Sequence, residues 1–162
     1  MALLIFLHER SMVPKIIVDA DGCPVKQEVF RVAERHGLKV ILVSNSWMRI
    51  PDEDWLELVV VKEGFDAADD WIVEHVTEND IVISADIPLA SRCLPKGARV
   101  LDPRGRVFTE DSIGEALVNR ALLSHLRELG NITGGPSPFG NRARSRFLHQ
   151  LDEVIRAVLG GN

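Results

Sequence analysis

Short β-branched apolar runs alternate with stretches of helical period along most of this chain. The pattern predicts a strand over Lys15 to Asp19 and a helix over Pro24 to His36, where Val25, Val29, Val32 and Ala33 recur at helical spacing and Gly37 stops the run. Leu38 to Ser44 is a second strand, Pro51 to Trp55 a turn or short helix, and Leu58 to Lys62 a third strand. Asp66 to Thr77 reads as a helix, with Ala68, Trp71, Ile72, His75 and Val76 on its apolar face. A fourth strand follows over Asp80 to Ala85, then a helix over Pro88 to Leu94, stopped by Pro95 and Gly97, and a fifth strand over Ala98 to Leu101.

Strands alternating with helices predict an α/β class, with a mainly parallel central sheet of about five strands and helices on both faces. Near-continuous Ile/Val runs fit strands buried on both sides. The last third is different. Ser112-Ile113-Gly114-Glu115 has capping-box spacing and opens a long helix to about Leu129. A polar Gly/Pro-rich tract, Gly130 to Asn141, is too long for a simple connector and reads as an ordered loop or a lid. The final helix runs from about Ala143 to Leu159 on a stripe of Phe147, Leu148, Leu151, Val154, Ile155 and Val158.

A chain of 162 residues suits one three-layer domain, here residues 15–162. Residues 1–14 read as an N-terminal extension, disordered or forming an extra edge strand, because Met12-Val13-Pro14-Lys15 has the form of a start. Met1 to Leu7 is apolar but too short to span a membrane, and it lacks a basic leader and a cleavage pattern. A composition 46% hydrophobic and 27% charged is that of a soluble globular protein. The net charge of −5 removes any global basic field that would recruit nucleic acid. Two cysteines, Cys23 and Cys93, cannot build a disulfide scaffold, so reduced thiols in a cytoplasm are the expectation.

The acidic residues change this bland picture. Ile16-Ile17-Val18 runs into Asp19-Ala20-Asp21-Gly22, which puts two anions at the mouth of a buried strand. Such a pair is costly unless a cation or donors meet it. Asp86 ends the fourth strand, and Asp66, Asp69 and Asp70 open the helix before it. Capping explains Asp66 or Asp86 taken alone. If the first and fourth strands are neighbours where the strand order reverses, however, these acids meet in one crevice. An all-carboxylate set suits Mg²⁺ or Mn²⁺. Helical geometry places Asp69 beside the apolar face and turns Asp70 away, which favours Asp69 as a site residue.

Other candidates are weaker. No His lies near Cys23 in sequence to activate it, and the five histidines lack metal-ligand spacing. Ser44, Asn45 and Ser46 end the second strand and are placed to bind substrate or to terminate it. Arg99, Arg104 and Arg106 surround Pro103-Arg104-Gly105, while Arg142, Arg144 and Arg146 begin the last helix. Arg142 and Arg146 share a face, and three cations at a helix start oppose its dipole, which points to anion binding.

Asp19-Ala20-Asp21-Gly22-Cys23-Pro24, Gly64-Phe65-Asp66-Ala67-Ala68-Asp69, Ala85-Asp86-Ile87-Pro88-Leu89-Ala90, Pro103-Arg104-Gly105 and Thr133-Gly134-Gly135-Pro136 stand in an order that resembles the YaiI/YqxD family of bacterial proteins. The resemblance covers nearly everything after Lys15. It implies a PIN-like fold, shared with metal-dependent ribonucleases and flap nucleases, and it marks Asp19, Asp21, Asp66, Asp69 and Asp86. The family often has an acid between the first two arginines of the tract; this chain has Ala143, so no acid acts there.

The expectation is a Mg²⁺- or Mn²⁺-dependent nuclease acting on RNA or DNA. Asp19 and Asp86 would be the principal ligands, with Asp21, Asp66 and Asp69 ligating directly or through water. Asn45, Arg104, Arg142, Arg144 and Arg146 would meet the substrate and its phosphates. Two other readings compete. Val18-Asp19-Ala20-Asp21-Gly22 also resembles the first motif of haloacid-dehalogenase-type phosphatases, with Asp19 as nucleophile, Ser44-Asn45 as second motif, Lys62 or Lys96 as the lysine and Asp86 as a late metal ligand. That motif usually continues with Thr or Val where this chain has Cys23-Pro24. The third reading is a non-catalytic nucleotide- or RNA-binding module.

Overall fold

Lys15–Asp19 forms the central strand β1, whose Ile16, Ile17 and Val18 are fully buried. The computed structural model describes residues 13–62, 64, 66–131 and 138–160. After β1 come α1 (Lys26–His36), β2 (Lys39–Ser44), β3 (Leu56–Val60), α2 (Ala67–His75) and β4 (Ile81–Ile83). Then follow α3 (Ile87–Cys93), a 3₁₀ turn (Leu94–Lys96), β5 (Arg99–Leu101), β6 (Val107–Phe108), α4 (Glu110–Glu128) and α5 (Asn141–Leu159).

The strands form one sheet in the order β3-β2-β1-β4-β5-β6. Five strands are parallel, and β6 closes one edge antiparallel to β5. Val18 lies beside Leu42 on one side and Ile83 on the other. The strand order therefore reverses between β1 and β4, the position where open α/β sheets take ligands beyond the carboxyl ends of their strands.

Alternate residues of the central strands face opposite layers, so both faces are apolar. Ile16, Val18, Val40, Leu42, Ile81 and Ile83 pack under α1 and α5, and Ile17, Ile41, Val43, Val82 and Val100 under α2, α3 and α4. Phe147, Leu151 and Ile155 of α5 are fully buried, each contributing about 1.5–3 kcal/mol. Asp152 reinforces that seam: His36 lies 2.7 Å away and Arg35 3.0 Å. The hydrogen bond from His36, helped by Arg156 and Arg35, holds the Asp152 carboxyl below its usual range. At the amino end of the sheet, buried Asp80 accepts from the Lys15 backbone N–H and ammonium and from Thr77 N and Oγ1.

Several boundaries differ from the sequence pattern. β3 starts at Leu56, two residues earlier than expected, because Val40 N bonds Trp55 O and draws the strand into register with β2. β6 is a two-residue strand with too little periodicity to register in the sequence. The long helix α4 begins one turn early: Thr109 is its N-cap, and Thr109 and Ser112, not Ser112 and Glu115, form the capping box. His75 is exposed and stacks on Trp71 at 3.8 Å instead of entering the core. Arg99 opens β5 at the opposite end of the sheet from Arg104 and belongs to no cluster with it. Residues 1–12 of the expected extension and Thr133 to Pro136 lie outside the described residues. No helix among the described residues is long and apolar enough to cross a membrane.

Candidate functional site

Parallel pairing puts the carboxyl ends of β1 to β5 on one edge, so the first residues beyond each strand are neighbours. Asp19 ends β1 and Asp86 follows β4 by three residues. Ser84, also beyond β4 and buried, ties them together. Its Oγ donates to Asp19 Oδ2 at 2.8 Å and accepts from the Asp86 backbone N–H at 3.0 Å. Asp86 in turn caps α3, its Oδ1 accepting from Leu89 N at 3.0 Å. The capping role is real, yet it leaves Asp86 Oδ2 with no hydrogen bond among the described residues.

Asp69 completes the group from the first turn of α2. Its carboxyl is pushed up to about 6, first by burial and then by the charges of Asp86, Asp19 and Asp66, against a small opposing effect of Arg92. Asp19 is likewise raised, by burial above all and then by Asp86 and Asp21, despite the Ser84 hydrogen bond. Asp69 makes no hydrogen bond or ion pair among the described residues, whereas Asp70 points out and pairs with Arg92 at 2.9 Å. Asp66 occupies the N-cap of α2, but its side chain makes no capping bond, so capping does not account for it. The two edges of the sheet differ sharply: Asp80 at the amino edge has Lys15, while among the described residues no lysine or arginine pairs with Asp19 or Asp69 at the carboxyl edge.

Asp21 has a different task. Its oxygens accept from Ser44 Oγ and Asn45 N, both at 2.8 Å, and so lock the loop after β2. Ser44 Oγ also bonds Ser46 O at 2.7 Å. This turn presents Trp47, 74% exposed, on the same edge as the acids. Asn45 contributes its backbone to the lock and keeps an exposed side chain. Sequence reasoning missed Ser84 and Trp47. A serine ending a buried strand two residues before Asp86 was a legible signal for the first; a lone exposed Trp has no periodic signature.

The arginines divide. Arg144 Nη1 donates to Pro24 O at 2.7 Å and to Glu28 Oε1 at 3.1 Å, tying α5 to the loop after β1. Arg144 and Arg104 both stand over the Phe139 ring, at 4.9 and 5.4 Å. Arg104, Arg142 and Arg146 line a common cavity of about 340 Å³ with Pro138, Gly140 and Ala143. The Cys23 and Cys93 thiols are buried, and burial raises both pKa values, Cys93 to about 11, so neither is an activated nucleophile. Lys96 sits before β5 at the other edge and bonds Val73 O, out of place for a phosphatase lysine.

The donor set suits a hard cation by type, being all carboxylate oxygen. No three His, Cys, Asp or Glu side chains among the described residues stand close enough to ligate one ion directly. Asp86 instead adds to the upward push on both Asp19 and Asp69, an arrangement that would suit an ion retaining part of its water shell, as Mg²⁺ commonly does.

Fold and edge together define an α/β protein with a cluster of acidic residues at the reversal point of its sheet. The chain belongs to the family described as "Uncharacterized BCR, YaiI/YqxD family", whose model matches residues 17–157. A UPF0178 protein of Rhodospirillum centenum is 54% identical over 150 residues, covering 90% of this chain and 97% of the relative. UPF0178 proteins of Rhodopseudomonas palustris (54% over 144 residues, 89% of this chain and 88% of the relative) and Caulobacter vibrioides (49% over 144 residues, 89% and 94%) are similar. No solved structure matches the chain with significance. The three-layer arrangement is compatible with the PIN-like fold that the family resemblance implies.

Proposed function

We propose that the acidic crevice holds a hydrated Mg²⁺ or Mn²⁺ and that the protein is a nuclease hydrolysing phosphodiesters of RNA or DNA. The observation that carries this reading is that Asp19 and Asp69 are both raised, first by burial and then by the neighbouring charge of Asp86, with no lysine or arginine paired to either among the described residues. Like charges held together at a cost are a mark of a functional site.

Asp19, Asp69 and Asp86 would hold the ion, with Asp21 and Asp66 at the rim. When bound, such an ion stabilises charge on a phosphoryl group and makes hydroxide available near neutral pH. Ser84 orients the Asp19 carboxylate, and Asp21 fixes the turn that carries Trp47. The exposed indole supplies a stacking platform for an unpaired base. Arginines on the same edge hold flanking phosphates and offset the chain's net charge of −5 locally.

The test is incubation of purified protein and Mn²⁺ with end-labelled single-stranded RNA, structured RNA and DNA, alongside Asp19→Asn. Cleavage by the wild type, lost in the variant, is expected. Hydrolysis of small phosphomonoesters with an aspartyl-phosphate trapped at Asp19 would contradict it, as would tight RNA binding without turnover.

A further inference from the structure

The long helix α4 is anchored by its first half. It packs on α3, and Ala116 and Ile113 join the apolar cluster on that face of the sheet. Of its 19 residues only Ala116 is buried. A second apolar stripe runs along the other side of the helix: Val118, Ala121, Leu122, Leu126 and Leu129 recur at i, i+3, i+4, i+8 and i+11. At about 100° per residue the stripe centres on the face opposite Ile113 and Ala116. Its large side chains are in solvent, Val118 by 66%, Leu122 by 52% and Leu129 by 59%, while Leu126 is half-buried.

A contiguous row of this kind is rare on a monomer and marks an interface. The charges along the same face indicate what covers it. Asp111 and Glu115 lie in line with the stripe toward the amino end of α4, and His125 interrupts it toward the carboxyl end. Arg120 and Arg127 fall on the opposite face. A second α4 laid parallel would set the acids against acids. Laid antiparallel about a two-fold axis near residue 120, it sets Val118 against Leu122 of the second copy and Glu115 against its His125. Symmetry makes each of these contacts twice. The stripe is therefore complementary to itself in one orientation, in shape and in charge. An acidic-ended face of this kind repels nucleic acid, so the surface is separate from the proposed nuclease site.

We infer that α4 is a homodimerisation helix, which pairs antiparallel with α4 of a second copy of this chain through a centre of Val118 and Leu122. The helix is about 28 Å long, at 1.5 Å per residue. One helix pair of that length falls short of the roughly 800 Å² per partner of a standard interface, so the dimer forms and dissociates at micromolar concentration.

The experiment is sedimentation equilibrium of the full chain across a concentration series. The wild type should pass from monomer to dimer and no further. Leu122→Glu should weaken association at least about tenfold, the loss expected of a side chain at the centre of an interface, with circular dichroism unchanged. Leu122→Ala, which keeps a strong helix former at the position, should weaken it in the same direction and guards against a variant that merely unfolds. His125→Glu should weaken association by setting acid against Glu115, and adding Glu115→Lys to it should restore the wild-type strength. A wild type that stays monomeric up to about 100 μM overturns the inference, whether Met1 to Leu7 of the same chain or a foreign partner then covers the stripe. A dimer that survives Leu122→Glu overturns it, and so does a charge-swapped double variant that associates no better than His125→Glu alone.

Discussion

Ser84 Oγ donates to Asp19 Oδ2 at 2.8 Å, and the same oxygen receives the Asp86 backbone N–H, so one buried hydroxyl fixes the ends of the two strands between which the sheet reverses. Removing it leaves a half-buried carboxylate oxygen and a backbone donor without their partner. Ser84→Ala should cost about 1–3 kcal/mol in urea unfolding near neutral pH. It should also raise the Asp19 pKa further, because the lost bond is the contribution holding it down. Carboxyl titration by NMR checks the second outcome.

Asp69 stores repulsion, and its pH dependence has a definite sign. Its carboxyl lies at about 6 in the folded chain against an ordinary 3.8, so the folded state holds the proton more tightly than the unfolded. Its contribution to stability is full below about 4 and is lost as pH rises through about 6. Asp69→Asn should therefore melt higher than wild type near neutral pH, by roughly 2–4 °C, the shift that about 1 kcal/mol gives a domain of this size. The difference should vanish on acidification below the ordinary carboxylate range. Melting curves of both proteins across that range check it.

Gly105→Ala tests whether the arginine turn is held by close approach. The new methyl group would stand 3.0–3.1 Å from Arg146 in a left-handed conformation, so a loss of about 1–3 kcal/mol is expected. Chemical denaturation measures it. Gly114→Ala, where a Cβ meets nothing within 4 Å in mid-helix, serves as the contrast and should be neutral or stabilising.

Trp47→Ala should leave stability within about 0.5 kcal/mol, since the indole is largely in solvent. It should weaken binding of single-stranded RNA by about 5- to 150-fold, the range of one lost base stack, and affect duplex far less. Anisotropy titrations in EDTA separate the two.

The architecture was readable because its signals are local and repeated. Val-Ile runs such as Ile16-Ile17-Val18 and the stripe from Phe147 to Val158 announce buried strands and an amphipathic helix directly. The division between Asp69 and Asp70 also followed from helical geometry alone, and Asp70 does turn outward to Arg92. What the chain conceals is pairwise. The adjacency of β1 and β4 could only be posed as a condition, since strand order depends on how the crossovers pack. The Thr109 cap displaced the expected one because a hydroxyl at N3 can reciprocate as Glu does. Arg144 looked like its neighbours in sequence, yet Glu28 and Pro24 O, more than a hundred residues away, occupy it.

The central claim is that Asp19, Asp69 and Asp86 form one cation site, and Mn²⁺ titration followed by electron paramagnetic resonance tests it without requiring a substrate. Saturable binding to the wild type is expected near neutral pH, with affinity falling at least about tenfold in Asp19→Asn and in Asp69→Asn and little changed in Asp70→Asn. Absence of saturable binding, or binding that all three variants retain equally, would contradict it.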